Sequence, residues 1–138
     1  MTHQQMWQQF GREGSYDAWS FGTDADELAC LVQSGKKTAT ASLRCLYEKD
    51  GSDLPKEGQY SVVLDAHGNA VCVICTMKVY VVPFCEVTAD HARKEGEGDR
   101  SLAYWRRVHE DFFRQELGES SFEDSMDVVC EEFVRVFP

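Results

Sequence analysis

The feature that most constrains the fold is a long apolar segment in the middle of the chain. Residues 70–82, AVCVICTMKVYVV, are apolar almost throughout and are followed by Pro83. Residues 59–66 also have the pattern of a strand, and residues 67–69, HGN, are typical of a turn between the two. A strand with so few polar positions is expected where both faces are buried or where a small barrel closes. The chain therefore predicts a sheet that contains this buried strand.

Helical patterns occupy four other parts of the chain. Residues 24–34 give the clearest signal, because Asp24 and Glu27 match a capping box and Gly35 follows where helices commonly end. The remaining helices are predicted over residues 2–12, 87–94 and 101–117, the last with Ser101 as its cap.

Two further strands and two connections complete the prediction. Residues 38–45 alternate as a strand, and residues 127–137 form the last one. Residues 16–22, YDAWSFG, are expected to be an aromatic link, and residues 47–58 a polar loop. Strands and helices follow one another without regular alternation of strand and crossover helix, so the pattern indicates an α+β fold.

Length and composition favour one small domain. A chain of 138 residues with 43% hydrophobic residues can fill one core, so we expect a single domain over residues 1–138. No run approaches the ~18 apolar residues of a membrane span, and residues 1–10 lack the pattern of an export signal, which predicts a cytoplasmic protein. Six cysteines are then expected to be free thiols, and Cys72 and Cys75, on opposite faces of a strand, cannot share a metal.

Charge is unevenly distributed on this acidic chain. The formal net charge is −10, and residues 110–138 carry nine acidic residues against two arginines, a net of −7. Residues 36–49, by contrast, hold four basic residues and one glutamate. The overall charge favours a small ligand over a long polyanion, and the local excess of positive charge marks a candidate binding site.

The basic segment begins with GKKTAT, residues 35–40. The GKKT part is similar to the end of a phosphate-binding P-loop, but Cys30 stands where that motif needs a glycine. The predicted order of helix, loop and strand is also the reverse of the P-loop order. A P-loop is therefore rejected, and part of the charge is explained by the helix end at Gly35, which favours nearby cations.

Several motifs in a fixed order resemble another family. GKKTAT is followed by LPKEGQYSVVLD, by the long apolar strand and by HARKEGEGD, with WSFG before them and SLAYW after. This set resembles the ASCH domain of the PUA-like superfamily over roughly residues 19–136. The resemblance implies a small mixed β-barrel with flanking helices, in which residues 1–18 are an N-terminal helical extension.

The resemblance also implies a function. PUA-like domains commonly bind RNA or modified bases in a cleft beside the barrel, and some compact ASCH proteins are amidohydrolases that deacetylate acetylcytidine. Ribonuclease activity is also attributed to the family. By position in the motifs, the catalytic residues would be Lys37, Thr40 and Glu95. A non-catalytic RNA-binding or regulatory module is the alternative.

The chemistry of these three residues is compatible with hydrolysis. A lysine next to another lysine in a partly dry cleft is expected to have a lowered pKa, as a general base or amine nucleophile requires. Thr40 could orient a carbonyl oxygen, and Glu95 could carry a proton or hold the ammonium in place. Five further residues are candidate ligand contacts: Lys36, Ser42, Arg44, Trp19 and Phe21.

These ligand contacts differ in kind. Related short ASCH proteins have an arginine at the position of Ser42, and Arg44 could supply that cation from the same strand face. Trp19 and Phe21 could stack on a base, although aromatic residues between elements more often belong to the core.

Acidic and histidine residues do not form a recognisable metal motif. Glu95, Glu97 and Asp99 lack the spacing of a calcium loop, and an acidic approach to the helix at Ser101 explains them. His109, on the predicted helix, is expected to be a hydrogen-bonded core residue. We therefore expect neither a metal nor a cofactor.

Overall fold

The apolar segment forms the longest strand of a five-stranded sheet. The computed structural model describes residues 1–118 and 121–138. The sheet order is β1–β3–β4–β5–β2, with β1 parallel to β3 and the other pairs antiparallel. The sheet curls into a half-barrel. Its strands are β1 (Asp17–Ser20), β2 (Ala39–Leu43), β3 (Tyr60–Leu64), β4 (Ala70–Pro83) and β5 (Asp127–Phe137).

Helices lie between the strands in an irregular order, which confirms the predicted α+β fold. They are α1 (His3–Phe10), α2 (Ala25–Ser34), α3 (Arg44–Asp50), α4 (Ala89–Glu95) and α5 (Leu102–Leu117), with a short 3-10 turn at Phe84–Glu86. Within the described part of the chain, no helix combines the length and apolar character that crossing a bilayer would require. All six cysteines are free thiols, as predicted.

The helices bury apolar side chains against different parts of the sheet. Helix α5 contributes Trp105 and Phe113 to the largest cluster, where they pack with Leu43 of β2. Helix α2 contributes Val32, which packs against β3 and β4, and α1 contributes Met6 to a third cluster. Burying such side chains is the main stabilising term in folding. The candidate site lies between α2, α4 and α5, next to β2.

Two connections predicted to be irregular are regular elements. Residues 17–20 of the expected aromatic link form β1, because their backbone pairs with β3 from Asp17↔Ser61 to Ser20↔Leu64. Strand β2 ends at Leu43 rather than Cys45, and the chain continues directly into α3. Helix α3 ends at Gly51, whose φ of 68° suits a helix C-terminus. Strand β1 and helix α3 were therefore both wrongly predicted as irregular connections.

The predicted capping box at Asp24 is also wrong. Asp24 has a left-handed backbone, with φ of 46°, and its side chain makes no capping hydrogen bond. A capping side chain needs an extended backbone at that position. The predicted cap of α5 is confirmed, because Ser101 is extended and its hydroxyl accepts a hydrogen bond from the Tyr104 amide.

Candidate functional site

A cavity of about 500 Å³ opens beside β2. One wall is formed by β2 and the neighbouring part of β5, another by α5, and a third by the residues that follow β1. Its hydroxyl-bearing lining residues include Thr40, Ser42 and Tyr47, and its aromatic ones include Trp19, Phe21 and Phe112. The volume is within the range of small-molecule sites.

Lys37 is the buried cation of this cavity. Helix α2 ends at Gly35, and the amides of Lys36 and Lys37 both donate to the carbonyl of Leu31 at 3.0 Å. The Lys37 side chain is only 1% exposed, and its Nζ donates to Glu95 Oε1 at 3.1 Å and to Glu97 Oε2 at 2.8 Å. A third, longer contact of 3.4 Å reaches the main-chain oxygen of Glu95. The ammonium is therefore held by two carboxylates.

Glu95 is the centre of the hydrogen-bond network. Its Oε1 faces Lys37 and the Nε2 of His109, the latter at 3.4 Å. Its Oε2 accepts hydrogen bonds from His91 Nε2 at 2.7 Å and from the Trp105 indole. Residues 91 and 95 are one turn apart on α4, and Trp105 and His109 are one turn apart on α5. The two helices thus bring three donors to the Glu95 carboxylate, and Lys37 is the fourth.

Each ring nitrogen of the two histidines faces a polar partner. His109 Nδ1 lies 2.9 Å from the Trp105 carbonyl, and its Nε2 faces Glu95. Both partners are acceptors, and the negative charge of Glu95 raises the pKa of His109 against the effect of burial, which favours the imidazolium. His91 donates through Nε2 to Glu95, which leaves its Nδ1 to accept from the Tyr80 hydroxyl at 3.3 Å.

The pKa values follow from the same contacts. Burial alone would lower the pKa of Lys37, but Glu95 and Glu97 outweigh it and raise that pKa. The expected lowering of the Lys37 pKa by Lys36 is therefore wrong. Burial would raise the pKa of Glu95, yet Lys37 and His109 hold it well below its ordinary value. Burial alone would lower the pKa of His109, but the negative charge of Glu95 outweighs it and raises that pKa.

Close backbone contact fixes the two segments that meet here. Gly96 follows Glu95 with φ of 77°, and a Cβ at this position would lie 2.3 Å from the main-chain oxygen of Lys36. Next to it, the Thr38 amide donates to the carbonyl of Lys94 at 2.7 Å. Because only glycine permits both the backbone angle and the contact, Gly96 brings the end of α4 against the turn that carries Lys37.

The side chains of Glu95, Glu97 and His109 are close enough to share one metal ion. One oxygen of each carboxylate already contacts the Lys37 ammonium. A metal would have to displace that cation and deprotonate His109, since only a neutral imidazole ligates. As arranged here, the two carboxylates therefore hold the Lys37 ammonium rather than a metal.

Comparison with known proteins identifies the family. The model of the ASCH domain matches residues 17–137, which is most of the chain. The chain belongs to the ASCH domain family. Its fold is that of the PUA-like proteins, a class of RNA-binding-type modules. Among curated proteins no sequence matches the chain.

Solved structures agree with this family. An ASCH domain from Lactobacillus crispatus JV V101 superimposes with a TM-score of 0.92 at 32% identity, over 98% of this chain and 94% of that one. A protein from Enterococcus faecalis V583 gives 0.89 at 34% identity, over 97% and 87%. The ASCH protein from Zymomonas mobilis, at 10% identity, gives 0.52 over 86% and 64%, and shows the fold alone.

Six of the eight candidate site residues of this ASCH domain line the cavity. The three candidate catalytic residues Lys37, Thr40 and Glu95 do so together, and so do Trp19, Phe21 and Ser42. Phe21 lies with its ring centre 5.4 Å from Lys37 Nζ, in cation–π range. Ser42 is hydrogen-bonded to the Tyr47 hydroxyl at 2.8 Å.

The structure does not bring the two remaining candidates into the cavity lining. Lys36 is exposed beside the buried Lys37. Arg44 is the first residue of α3 rather than part of the strand, and its guanidinium pairs with Glu48 and Asp127, each at 3.4 Å. Arg44 therefore cannot take the place of an arginine at position 42 from the same strand face.

Sequence reasoning missed three roles in the site. Glu97 was assigned to the approach to α5, whereas its carboxylate pairs with Lys37 and only Asp99 accepts from the Ser101 amide. His109 is a satisfied, largely buried residue as predicted, but it also lines the cavity. Glu131 of β5 lines the cavity as well. The sequence feature that could have identified Glu131 is its position directly after the apolar, buried segment Val128–Cys130.

Proposed function

We propose that this ASCH domain hydrolyses an amide of a small nucleoside-like molecule, with acetylcytidine as the model substrate. One observation carries the proposal. A fully buried ammonium, Lys37, is held by Glu95 and Glu97 at the wall of a ligand-sized cavity that Thr40 also lines. Positive charge fixed in a site of low polarity is the element that amide hydrolysis needs most, because the reaction builds negative charge on the carbonyl oxygen.

Lys37 would act as an ammonium rather than as a free amine. Water adds to the carbonyl carbon, its proton passes to a carboxylate, and the carbonyl oxygen becomes an oxyanion beside the lysine. The longest of the three Lys37 contacts, 3.4 Å to the Glu95 main-chain oxygen, is the one that the substrate oxygen can replace. The carbon–nitrogen bond then breaks, and the amine leaves with a proton as acetate forms.

Glu97 and Thr40 complete this assignment. Glu97 is 16% exposed against 1% for Glu95, so it is the carboxylate that water can approach and the candidate base. The Thr40 hydroxyl makes no hydrogen bond to any residue within 1–118 or 121–138, which leaves it available to orient the substrate. Glu95, with four donors, holds the lysine and His109 in place.

The charge of the cavity favours an uncharged ligand over RNA. Lys37 and His109 are balanced by Glu95 and Glu97. Among the other charged residues of the described lining, four are carboxylates and one is a lysine. The carboxylates are Asp17, Asp53, Glu116 and Glu131, and the lysine is Lys56. A phosphate would meet a net negative wall, so nucleosides should be preferred to nucleotides.

Deacetylation of acetylcytidine tests the proposal. The wild type should release acetate, Thr40→Val should slow the reaction and Lys37→Met should abolish it. Removing one oxyanion-stabilising group costs about 100- to 1000-fold in rate. Circular dichroism of both variants shows whether they are folded, and Thr40→Val decides the question if Lys37→Met is not. Absence of acetate release by the wild type, or equal rates in folded variants, would contradict the amidohydrolase assignment.

A second candidate is a non-catalytic RNA-binding module, which the family and the fold favour. It predicts salt-sensitive binding of intact RNA, weakened by Lys36→Ala and Arg44→Ala, which remove two cations outside the cavity lining. Hydrolysis of a small amide should be insensitive to both substitutions. Ribonuclease action is a third possibility, with Lys37 and Glu95 as its candidates, and RNA cleavage that survives Lys37→Met would exclude it.

A further inference from the structure

Glu131 stands directly opposite Thr40 on the cavity wall. The two residues are Cα partners in the antiparallel pair of β2 and β5, so their side chains lie on the same face of the sheet. Both line the cavity, together with Ser42 and Tyr47, whose hydroxyls bond each other at 2.8 Å. A ligand oriented by Thr40 would therefore also reach the carboxylate of Glu131.

The Glu131 carboxylate has no partner of its own. It makes no hydrogen bond or ion pair with any residue of the two described segments, and burial raises its pKa to about 7. Its neighbour Glu132 is different, because it pairs with Lys94 at 3.0 Å. The Glu131 oxygens are open to the cavity, so a ligand bound there can supply the donor that the protein does not.

Among the described residues, no charged group around the cavity, Lys56 included, forms an ion pair with Glu131. Tyr47 of α3 is already bonded to Ser42, and Glu116 of α5 and Asp53 add negative charge. The Lys37 ammonium is shared between Glu95 and Glu97. A donor without negative charge, such as an amide or amine N–H, is the group that fits this position.

We propose that Glu131 is the specificity-determining residue of the cavity and accepts a hydrogen bond from the N–H of an uncharged, amide-bearing nucleoside. The inference rests on the proposed function and specifies which edge of the substrate the cavity recognises. Thr40 and Lys37 would contact the carbonyl side of the amide, and Glu131 its nitrogen side. An acyl group on a tertiary nitrogen, which lacks the N–H, should be a poor ligand.

The experiment compares two substrates and three enzymes. The substrates are N4-acetylcytidine and its N4-methyl analogue, which has no amide N–H. The enzymes are the wild type, Glu131→Met and the matched control Glu132→Met, measured at about pH 8, where Glu131 is ionised. We expect Glu131→Met to raise KM for acetylcytidine about tenfold or more with little change in kcat, because a hydrogen bond to a charged group is lost. Glu132→Met should leave KM unchanged.

The outcomes separate this inference from the proposed function. The wild type should bind the methylated analogue weakly, and Glu131→Met should not weaken that binding further. If the wild type cleaves acetylcytidine and Glu131→Met has the same KM, the role of Glu131 is wrong and the amidohydrolase assignment stands. If the wild type neither binds nor cleaves acetylcytidine, both are wrong. If Glu131→Gln recovers part of the affinity, the acceptor role is supported, since an amide oxygen also accepts.

Discussion

Lys37 and Glu95 are 58 positions apart in the sequence, and their charged groups meet at 3.1 Å with both side chains 1% exposed. Charges removed from water to this extent depend on each other and on their remaining hydrogen-bond partners. His91, His109 and Glu97 supply those partners. The candidate site is therefore also a structural element, and changes to it should alter stability as well as activity.

Lys37→Met should destabilise the protein strongly. The substitution leaves Glu95 and Glu97 without their shared cation, and breaking a buried pair in this way costs about 3–5 kcal/mol. Chemical denaturation at neutral pH measures the loss. Lys36→Met is the matched control, because the neighbouring side chain is exposed and should change the free energy of unfolding by less than about 0.5 kcal/mol. Similar losses in the two variants would show that the pair is not formed.

Glu131→Gln should stabilise the protein at high pH. Burial raises the pKa of Glu131 from 4.5 to about 7, so its ionisation disfavours folding increasingly as the pH rises through this range. The difference corresponds to at most about 3 kcal/mol, and partial exposure reduces it to on the order of 1–2 kcal/mol. Thermal unfolding should show a higher Tm for the variant at about pH 8.5 and none of this gain at about pH 4. A gain that is equal at both pH values would contradict this account.

His109 should titrate above its ordinary pKa of 6.5, because Glu95 and Glu97 outweigh the effect of its burial. Two-dimensional NMR of the imidazole can follow the midpoint directly. In Glu97→Gln one of the two negative charges is absent, so the midpoint should move down. A midpoint below 6.5 in the wild type would mean that the ring is neutral and that its contact with Glu95 differs from the one described.

Gly96→Ala should destabilise the protein more than the same change at Gly11. Both glycines end a helix with φ near 78°, at 77° and 78°. A Cβ at Gly11 meets nothing within 4 Å, whereas one at Gly96 meets the Lys36 backbone at 2.3 Å. Left-handed backbone alone costs about 1–2 kcal/mol, so Gly11→Ala gives the conformational term and the excess at Gly96 gives the contact. Equal losses in denaturant titrations would mean that the contact is relieved without cost.

Local sequence patterns predicted those elements whose signal is internal. The apolarity of β4 and the serine cap of α5 identified both elements before any neighbour was known. Strand β1 was missed because its four residues are defined only by parallel pairing with β3. Helix α3 was missed because no capping side chain marks its start, where Leu43 precedes it, although Gly51 marks its end.

The site was predictable only in part, for a related reason. The motif resemblance named Lys37, Thr40 and Glu95, all of which line the cavity. It could not show that Lys37 is paired with Glu97, because the direction of a side chain in a glycine-rich turn depends on the tertiary contact at Gly96. The error in the Lys37 pKa has this origin, since the adjacent lysine is visible in the sequence and the distant carboxylates are not.

The absence of a side chain at Gly96 has a consequence for how a ligand can reach the cavity. Main-chain atoms of the α4 end and of the turn before β2 touch there, and the Thr38 amide bonds to Lys94. A wall joined backbone to backbone cannot swing outward by changing rotamers. Any widening of the cavity must therefore come from other parts of its lining, which include the exposed Asp53 and Lys56 between α3 and β3.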